Sequence, residues 1–263
     1  MAKKKIEEIY KEMDELTHIL ERPGMWVGSV KEEQKQMFLY DNEAKVMELK
    51  EVSYIPAMLK VIDEVISNSC DEYRRTTNMG LNTLSVTMSS DGWIEIRDNG
   101  GIPIVKHPTA GCYVPEFIFG RLRTSSNYND DEDRNVIGTN GVGSALANVF
   151  SKKFVIESAD NKNKFHRTWK DNMRTVCDDL KIEKCKDHFT MTKLWLDFSR
   201  FDTKDKTFTS DFIDIIEKRC IDAAAANLGL KVKFEYVDDE DGRKSSWKFA
   251  KFDQYIDLYG GYV

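Results

Sequence analysis

The stretch Leu84-Ser85-Val86-Thr87-Met88-Ser89-Ser90-Asp91-Gly92-Trp93-Ile94-Glu95-Ile96-Arg97-Asp98-Asn99-Gly100-Gly101 decides how the rest of the chain is read. Leu84, Val86 and Met88 alternate with polar residues, Ser90-Asp91-Gly92 is a turn signal, and residues 93–97 alternate again. A side-chain period of two on both sides of a glycine turn predicts a β-hairpin. Its second strand runs into Asp98-Asn99-Gly100-Gly101-Ile102-Pro103, and up to about residue 145 the chain is dense in Gly, Asn, Ser and Asp. A connection so long and rich in glycine is usually functional.

Outward from the hairpin, residues 6–20 read as a helix stopped by Arg22-Pro23-Gly24. Residues 46–52 read as a strand, and Pro56 opens a helix to about Tyr73. Short helices are expected near 115–122 and from about 142, and strands at 153–159, 164–169 and 191–198. Phe212, Ile213, Ile216, Cys220 and Ala223 stand at helical spacing within 210–227. Residues 232–236 and 245–250 read as strands on either side of a turn at 238–242. Hairpins mixed with helices, without regular βαβ alternation, predict an α+β fold: a two-layer sandwich of one mixed sheet covered by helices.

Composition narrows the class. The 263 residues are 41% hydrophobic and 32% charged, the balance of a globular domain. No apolar run approaches the roughly 20 residues of a membrane span, and Lys3–Lys5 leads into no apolar segment, so no membrane partner and a cytoplasmic location are expected. Five cysteines without a CxxC pair suit a reducing compartment and give no zinc pattern. The net charge of −6 argues against a domain that grips DNA over its whole surface. Any such role is indirect or confined to a local basic patch.

Three elements could carry chemistry. On the helix from Pro56, Met58, Leu59, Ile62, Val65, Ile66, Ser69 and Tyr73 share one side, and Lys60, Glu64, Asn68 and Asp71 the other. That polar arc is either solvated or the wall of a pocket. In a pocket, Glu64 could activate water and the Asn68 amide oxygen could bind Mg²⁺. Asp98-Asn99-Gly100-Gly101 either ends a strand or brings backbone close to a ligand that Asp98 accepts a hydrogen bond from. Gly138-Thr139-Asn140-Gly141-Val142-Gly143-Ser144 feeds a helix beginning Ala145-Leu146-Ala147. Glycines before a helix N-terminus suit an anion, although the pattern is neither a Walker A loop nor a dinucleotide fingerprint. Cys70 reads as helix packing.

The order Glu-x-x-x-Asn helix, strand-ending Asp loop and glycine-rich lid resembles the superfamily of gyrase, ATP-dependent chaperones, histidine kinases and MutL. More specific are Tyr113-Val114-Pro115-Glu116-Phe117-Ile118-Phe119-Gly120, Leu122-Arg123-Thr124-Ser125-Ser126-Asn127-Tyr128 and the lid. With His18–Val30, Phe189-Thr190 and Leu196-Asp197-Phe198-Ser199-Arg200-Phe201 they resemble the ATPase domain of type IIA DNA topoisomerases. The likeness, from about Ile9 to Tyr259, is to the eukaryotic type and, given its compactness, to the T-even bacteriophage large subunit, for which the compartment would be the host cytoplasm.

The resemblance implies ATP and Mg²⁺ as cofactors. Glu64 would be the general base and Asn68 the Mg²⁺ ligand. Asp98 and Thr190 would lie by the adenine, and Ser125, Ser126 and Asn127 would hold ribose and phosphates. The segment Gly138, Thr139, Asn140, Gly141, Val142, Gly143, Ser144 would bind the nucleotide, with Asn140, Gly141 and Gly143 around the triphosphate. Tyr10 would sit on an arm reaching the nucleotide of a second copy. Residues 1–30 would form that arm and first helix, 31–250 the ATP-binding domain and 251–263 the start of a transducer. The implied function is an ATP-operated gate: two copies close around DNA, hydrolysis resets them, and other domains or subunits do the strand chemistry. No Gln-x-Lys element is found, so a monomeric, slow ATPase is expected of these residues alone. Three departures stand out: Gly100 and Gly101 adjoin where the family has a residue between its glycines, Ala145 stands where eukaryotic relatives have lysine, and Lys60 where gyrase has histidine. A non-catalytic nucleotide sensor, a chaperone-like clamp of the same superfamily and a plain structural domain are the alternatives.

Overall fold

The structure is a computed structural model and describes residues 13–75, 80–122 and 143–260. Helix α1 (Glu15–Glu21) is capped by Asp14, whose carboxylate accepts the Thr17 N–H at 3.0 Å, and ends at the turn Pro23–Met25. Strands β1 (Glu33–Asp41) and β2 (Val46–Tyr54) form a hairpin. Helix α2 (Pro56–Arg75) follows, then β3 (Thr83–Ser89), β4 (Trp93–Asp98) and α3 (Val114–Gly120). Next come α4 (Gly143–Val149), β5 (Ser151–Asp160), β6 (Asn163–Lys170), the short β7 (Thr175–Val176) and β8 (Lys181–Lys184), and β9 (His188–Leu196). Helix α5 (Ser210–Ala226), β10 (Lys231–Val237), β11 (Arg243–Trp247) and α6 (Asp253–Ile256) follow.

Nine strands form one sheet in the order β11-β10-β3-β4-β9-β5-β6-β7, with β8 beside β6. The β10–β3 pair is parallel and the other ladders are antiparallel, so the sheet is mixed as expected. Leu84, Val86, Met88, Ile94 and Ile96, the even-numbered residues of the opening hairpin, are buried against the helices. From α2 the core takes Met58, Val61, Ile62, Val65, Ile66 and Cys70. Burial of this kind, at about 25 cal/mol per Å² of apolar surface, holds helices and sheet together.

Three details depart from the sequence reading. Asp71 does not belong to an open polar arc: it is 4% exposed, because the chain after α5 covers the last turn of α2. There Tyr73 donates to the Leu228 carbonyl at 2.7 Å and Arg74 Nε to Asn227 Oδ1 at 2.9 Å. Strand β1 was not expected, since Glu33-Gln34-Lys35-Gln36 shows no apolar alternation. Its full ladder with β2, from Glu33↔Tyr54 to Asp41↔Val46, makes it a strand. Asp41 closes that hairpin by accepting the Glu43 and Ala44 N–H groups, and Leu39 and Val52 pack on Ile215 of α5. The edge strands β7 and β8 are too short and too exposed to show a period.

Candidate functional site

Pro56 opens α2 without needing the N–H it lacks, and the helix runs along the sheet with Glu64 and Asn68 half-buried one turn apart. Glu64 forms an ion pair with Lys60, one turn earlier. Asn68 Nδ2 donates to Ser144 Oγ at 2.9 Å. Gly143, the first residue of α4, lies so close to α2 that a Cβ there would overlap the Glu64 carboxylate. Thus Glu64, Asn68, Gly143 and Ser144 meet at one point, held by the packing of α4 on α2 through buried Leu146 and Ala147.

One residue along, the same helix holds the end of β4. Ser69 Oγ donates to Asp98 Oδ2 at 2.6 Å, and the Gly100 N–H donates to Asp98 Oδ1 at 2.8 Å. Asp98 is 8% exposed. Burial pushes its carboxyl up to about 6, with the Ser69 and Gly100 hydrogen bonds pulling the other way. Thr190 stands opposite Asp98 in the β4–β9 ladder, its hydroxyl 3.2 Å from Ser158 Oγ. Ser158 also receives the Ile102 N–H at 3.1 Å, which ties the loop after β4 to β5.

His188 was not singled out by the sequence, yet it clamps this loop. Its Nδ1 lies 2.9 Å from the Asn99 carbonyl and its Nε2 accepts the Gly101 N–H at 3.2 Å, a pairing that one neutral tautomer satisfies at both ends. A Cβ on Gly101 would overlap the Ala159 carbonyl, so the shortened glycine loop still requires glycine there. Ser69, Ser158 and His188 carry no local signal; each acts through a contact 29 to 87 residues away. Ala145 is buried, so this position brings no side chain to a ligand. Cys70 is packed as expected, its thiol pushed by burial up to about 12. Tyr10, Ser125, Ser126, Asn127, Gly138, Thr139, Asn140, Gly141 and Val142 lie outside the described residues. Among the described residues no cluster of His, Cys, Asp and Glu forms a metal site of its own, and no helix is long and apolar enough to cross a membrane.

A long helix bearing Glu64 and Asn68, laid across a mixed sheet whose β4 ends in a buried Asp98, defines an α+β ATPase-domain fold, and solved structures share it. The ATPase region of Saccharomyces cerevisiae topoisomerase II superposes with a TM-score of 0.87 at 31% identity, covering 96% of this chain and 65% of that one. The ATPase and transducer domains of DNA topoisomerase II from Balamuthia mandrillaris give 0.86 at 33% identity, covering 97% and 64%. In sequence, DNA topoisomerase 2 of Caenorhabditis elegans is 37% identical over 260 residues, 97% of this chain and 16% of that protein. DNA topoisomerase 2 of Candida glabrata is 36% identical over 258 residues, 96% of this chain and 17% of that protein. No family model matches. The chain thus matches the ATPase region of the type II DNA topoisomerases. It spans about a sixth of the length of these relatives.

Proposed function

We propose that this chain binds and hydrolyses ATP as the gate of a type II DNA topoisomerase. The observation that carries the reading is the meeting of Glu64 and Asn68 with Gly143 and Ser144, on the helix that also holds Asp98 through Ser69. Asp98 would accept a hydrogen bond from the adenine amino group, with Thr190 beside it in the neighbouring strand. The Asn68 amide nitrogen is committed to Ser144, which leaves its carbonyl oxygen to a hard cation. Mg²⁺, when bound there, would neutralise charge on the phosphate oxygens. Glu64 would orient the attacking water and take its proton, so Lys60 must first release or share the carboxylate. Ser125, Ser126, Asn127 and the lid from Gly138 to Val142 would hold ribose and phosphates.

Gate closure would bring two copies together, with Tyr10 on an arm (residues 1–30) reaching the partner's nucleotide and residues 251–263 leading towards a transducer. DNA would pass through the complete enzyme, whose other domains or subunits break and rejoin strands. The cytoplasm, or a host's cytoplasm for a phage-type enzyme, is the compartment that goes with this reading. A non-hydrolysable ATP analogue with Mg²⁺ should raise the melting temperature, by the RT ln(1 + [L]/Kd) that native-state ligands add. No shift and no calorimetric heat at millimolar analogue would remove the nucleotide site.

A further inference from the structure

The two faces of the nine-stranded sheet differ in chemistry. The even-numbered residues of β3 and β4 pack on the helices, whereas Trp93, Glu95 and Arg97 point the other way, beside Trp195, Lys193 and Met191 of β9. The same rows continue into Lys153 and Glu157 of β5 and into Lys170 and His166 of β6. This outward face carries cations in excess. Lys193 is paired with Glu95 at 3.4 Å, Lys164 with Glu157 at 2.8 Å and Lys244 with Glu235 at 2.8 Å. Arg97, Lys153, Lys170, Lys231 and Lys233 have no carboxylate partner among the described residues. They stand on a chain whose net charge is −6, so this face is strongly polarised against the rest of the molecule.

Two observations point to a polyanion rather than to plain solvation. Lys153 and Lys170 are direct cross-strand partners, and like charges directly opposite one another destabilise a sheet. Several cations are also laid flat on rings: Lys193 Nζ is 3.4 Å from the Trp93 ring centroid, the Arg97 guanidinium 3.7 Å from Phe189 and Lys153 Nζ 4.4 Å from Trp195. Their heads are therefore held at the sheet surface before any partner arrives, which lowers the entropy lost on binding. From Lys233 on β10 to Lys170 on β6 the sheet steps across five strand spacings, roughly 24 Å at about 4.8 Å each. That spans the phosphates of roughly seven base pairs at about 3.4 Å per step.

We propose that this open face is a docking surface for duplex DNA, gripped through its phosphates without reading sequence; the choice of DNA over another polyanion rests on the topoisomerase reading above. The test is fluorescence anisotropy of the 263-residue chain with a duplex of about 30 base pairs, repeated over a salt series and with a second, unrelated sequence. Log affinity should fall against log salt with a slope of about −4, since each phosphate contact contributes about −0.9. The triple variant Arg97→Glu, Lys153→Glu, Lys233→Glu should bind both duplexes at least tenfold more weakly with a shallower slope, while its melting temperature still rises with ATP analogue. If charge reversal prevents folding, Lys153→Gln with Lys170→Gln serves instead: it should lower the slope by about two and raise the melting temperature slightly, as the like-charge pair is gone. Absence of binding at low salt, or unchanged binding by a folded variant, would overturn the proposal. So would variant-sensitive binding of polyglutamate with duplex ignored, which assigns the face to an acidic protein. DNA binding that follows this pattern without any analogue-induced shift would instead sink the nucleotide reading and leave this surface standing.

Discussion

The two ends of the candidate site are built differently. At the Asp98 end each polar group already has its partner: Ser69 and Gly100 on the carboxylate, Ser158 on Thr190 and Ile102, His188 on both sides of the glycine loop. The groups sit in strand register and are largely buried, so this end is rigid before a ligand comes. At the Glu64 end the partners are side chains that can be exchanged. Lys60 is half-exposed, and Ser144 stands at the start of a seven-residue helix. On the proposed reading, one end would recognise and the other would rearrange, which is the division expected when binding must precede chemistry.

The largest effect expected is on the rearranging end. Glu64→Gln, in the complete enzyme, should keep nucleotide binding and cut turnover by roughly 10²-fold or more, the worth of a positioned general base. Steady-state ATPase measurements with a binding control decide it; near-normal turnover would take the base role from Glu64 and leave the two ends alike.

Gly101→Ala probes the rigid end. Its methyl would meet the Ala159 carbonyl and the His188 ring, the latter tied to the loop at both ring nitrogens. Overpacking of this sort costs about 2–3 kcal/mol, read as a lowered denaturation midpoint. A change below about 0.5 kcal/mol would mean that the loop gives way and the contrast fails. Asn68→Ala, at the other end, should leave stability nearly unchanged and weaken nucleotide binding roughly tenfold with Mg²⁺, a loss of about 1.4 kcal/mol, but little without it. Equal weakening with and without Mg²⁺ would deny Asn68 the metal.

How much of this could be read from the chain follows the same division. The hairpin, the amphipathic α2 and the mixed sheet were legible because apolar periodicity reports which face is buried. Glu64 and Asn68 were legible as neighbours one turn apart on α2, although the sequence leaves open whether that face meets solvent or a partner. Gly143 and Ser144 provide the partner, a contact spanning 76 residues. Asp71 was misread because a helix taken alone cannot show that a later loop covers its last turn. His188 was invisible for a related reason: both groups that it clamps lie almost ninety residues upstream. Strand β1 owes its conformation to its ladder with β2, which no property of Glu33-Gln34-Lys35-Gln36 announces.

The smallest effect is the most specific to the rigid end. Burial has raised the Asp98 carboxyl from 3.8 to about 6, so proton uptake there affects folding and binding in opposite senses. For folding, the native state holds this proton more tightly than the unfolded chain, so the stabilisation is complete below about 3.8 and is lost as pH rises through about 6. In the proposed nucleotide site the charged form would accept the adenine amino hydrogen, so affinity should fall as pH drops through the same value. Between pH 7 and 5.5 the ionised fraction falls from about 0.9 to about 0.25, which predicts roughly fourfold weaker binding of an ATP analogue. Asp98→Asn carries no titrating group and should flatten that dependence, leaving only whatever the nucleotide's own phosphates contribute. Calorimetry on both proteins across this range separates the two. A wild-type curve that parallels the Asn variant would mean that Asp98 does not touch the base, and the recognition end of the site would have to be sought elsewhere along β4 and β9.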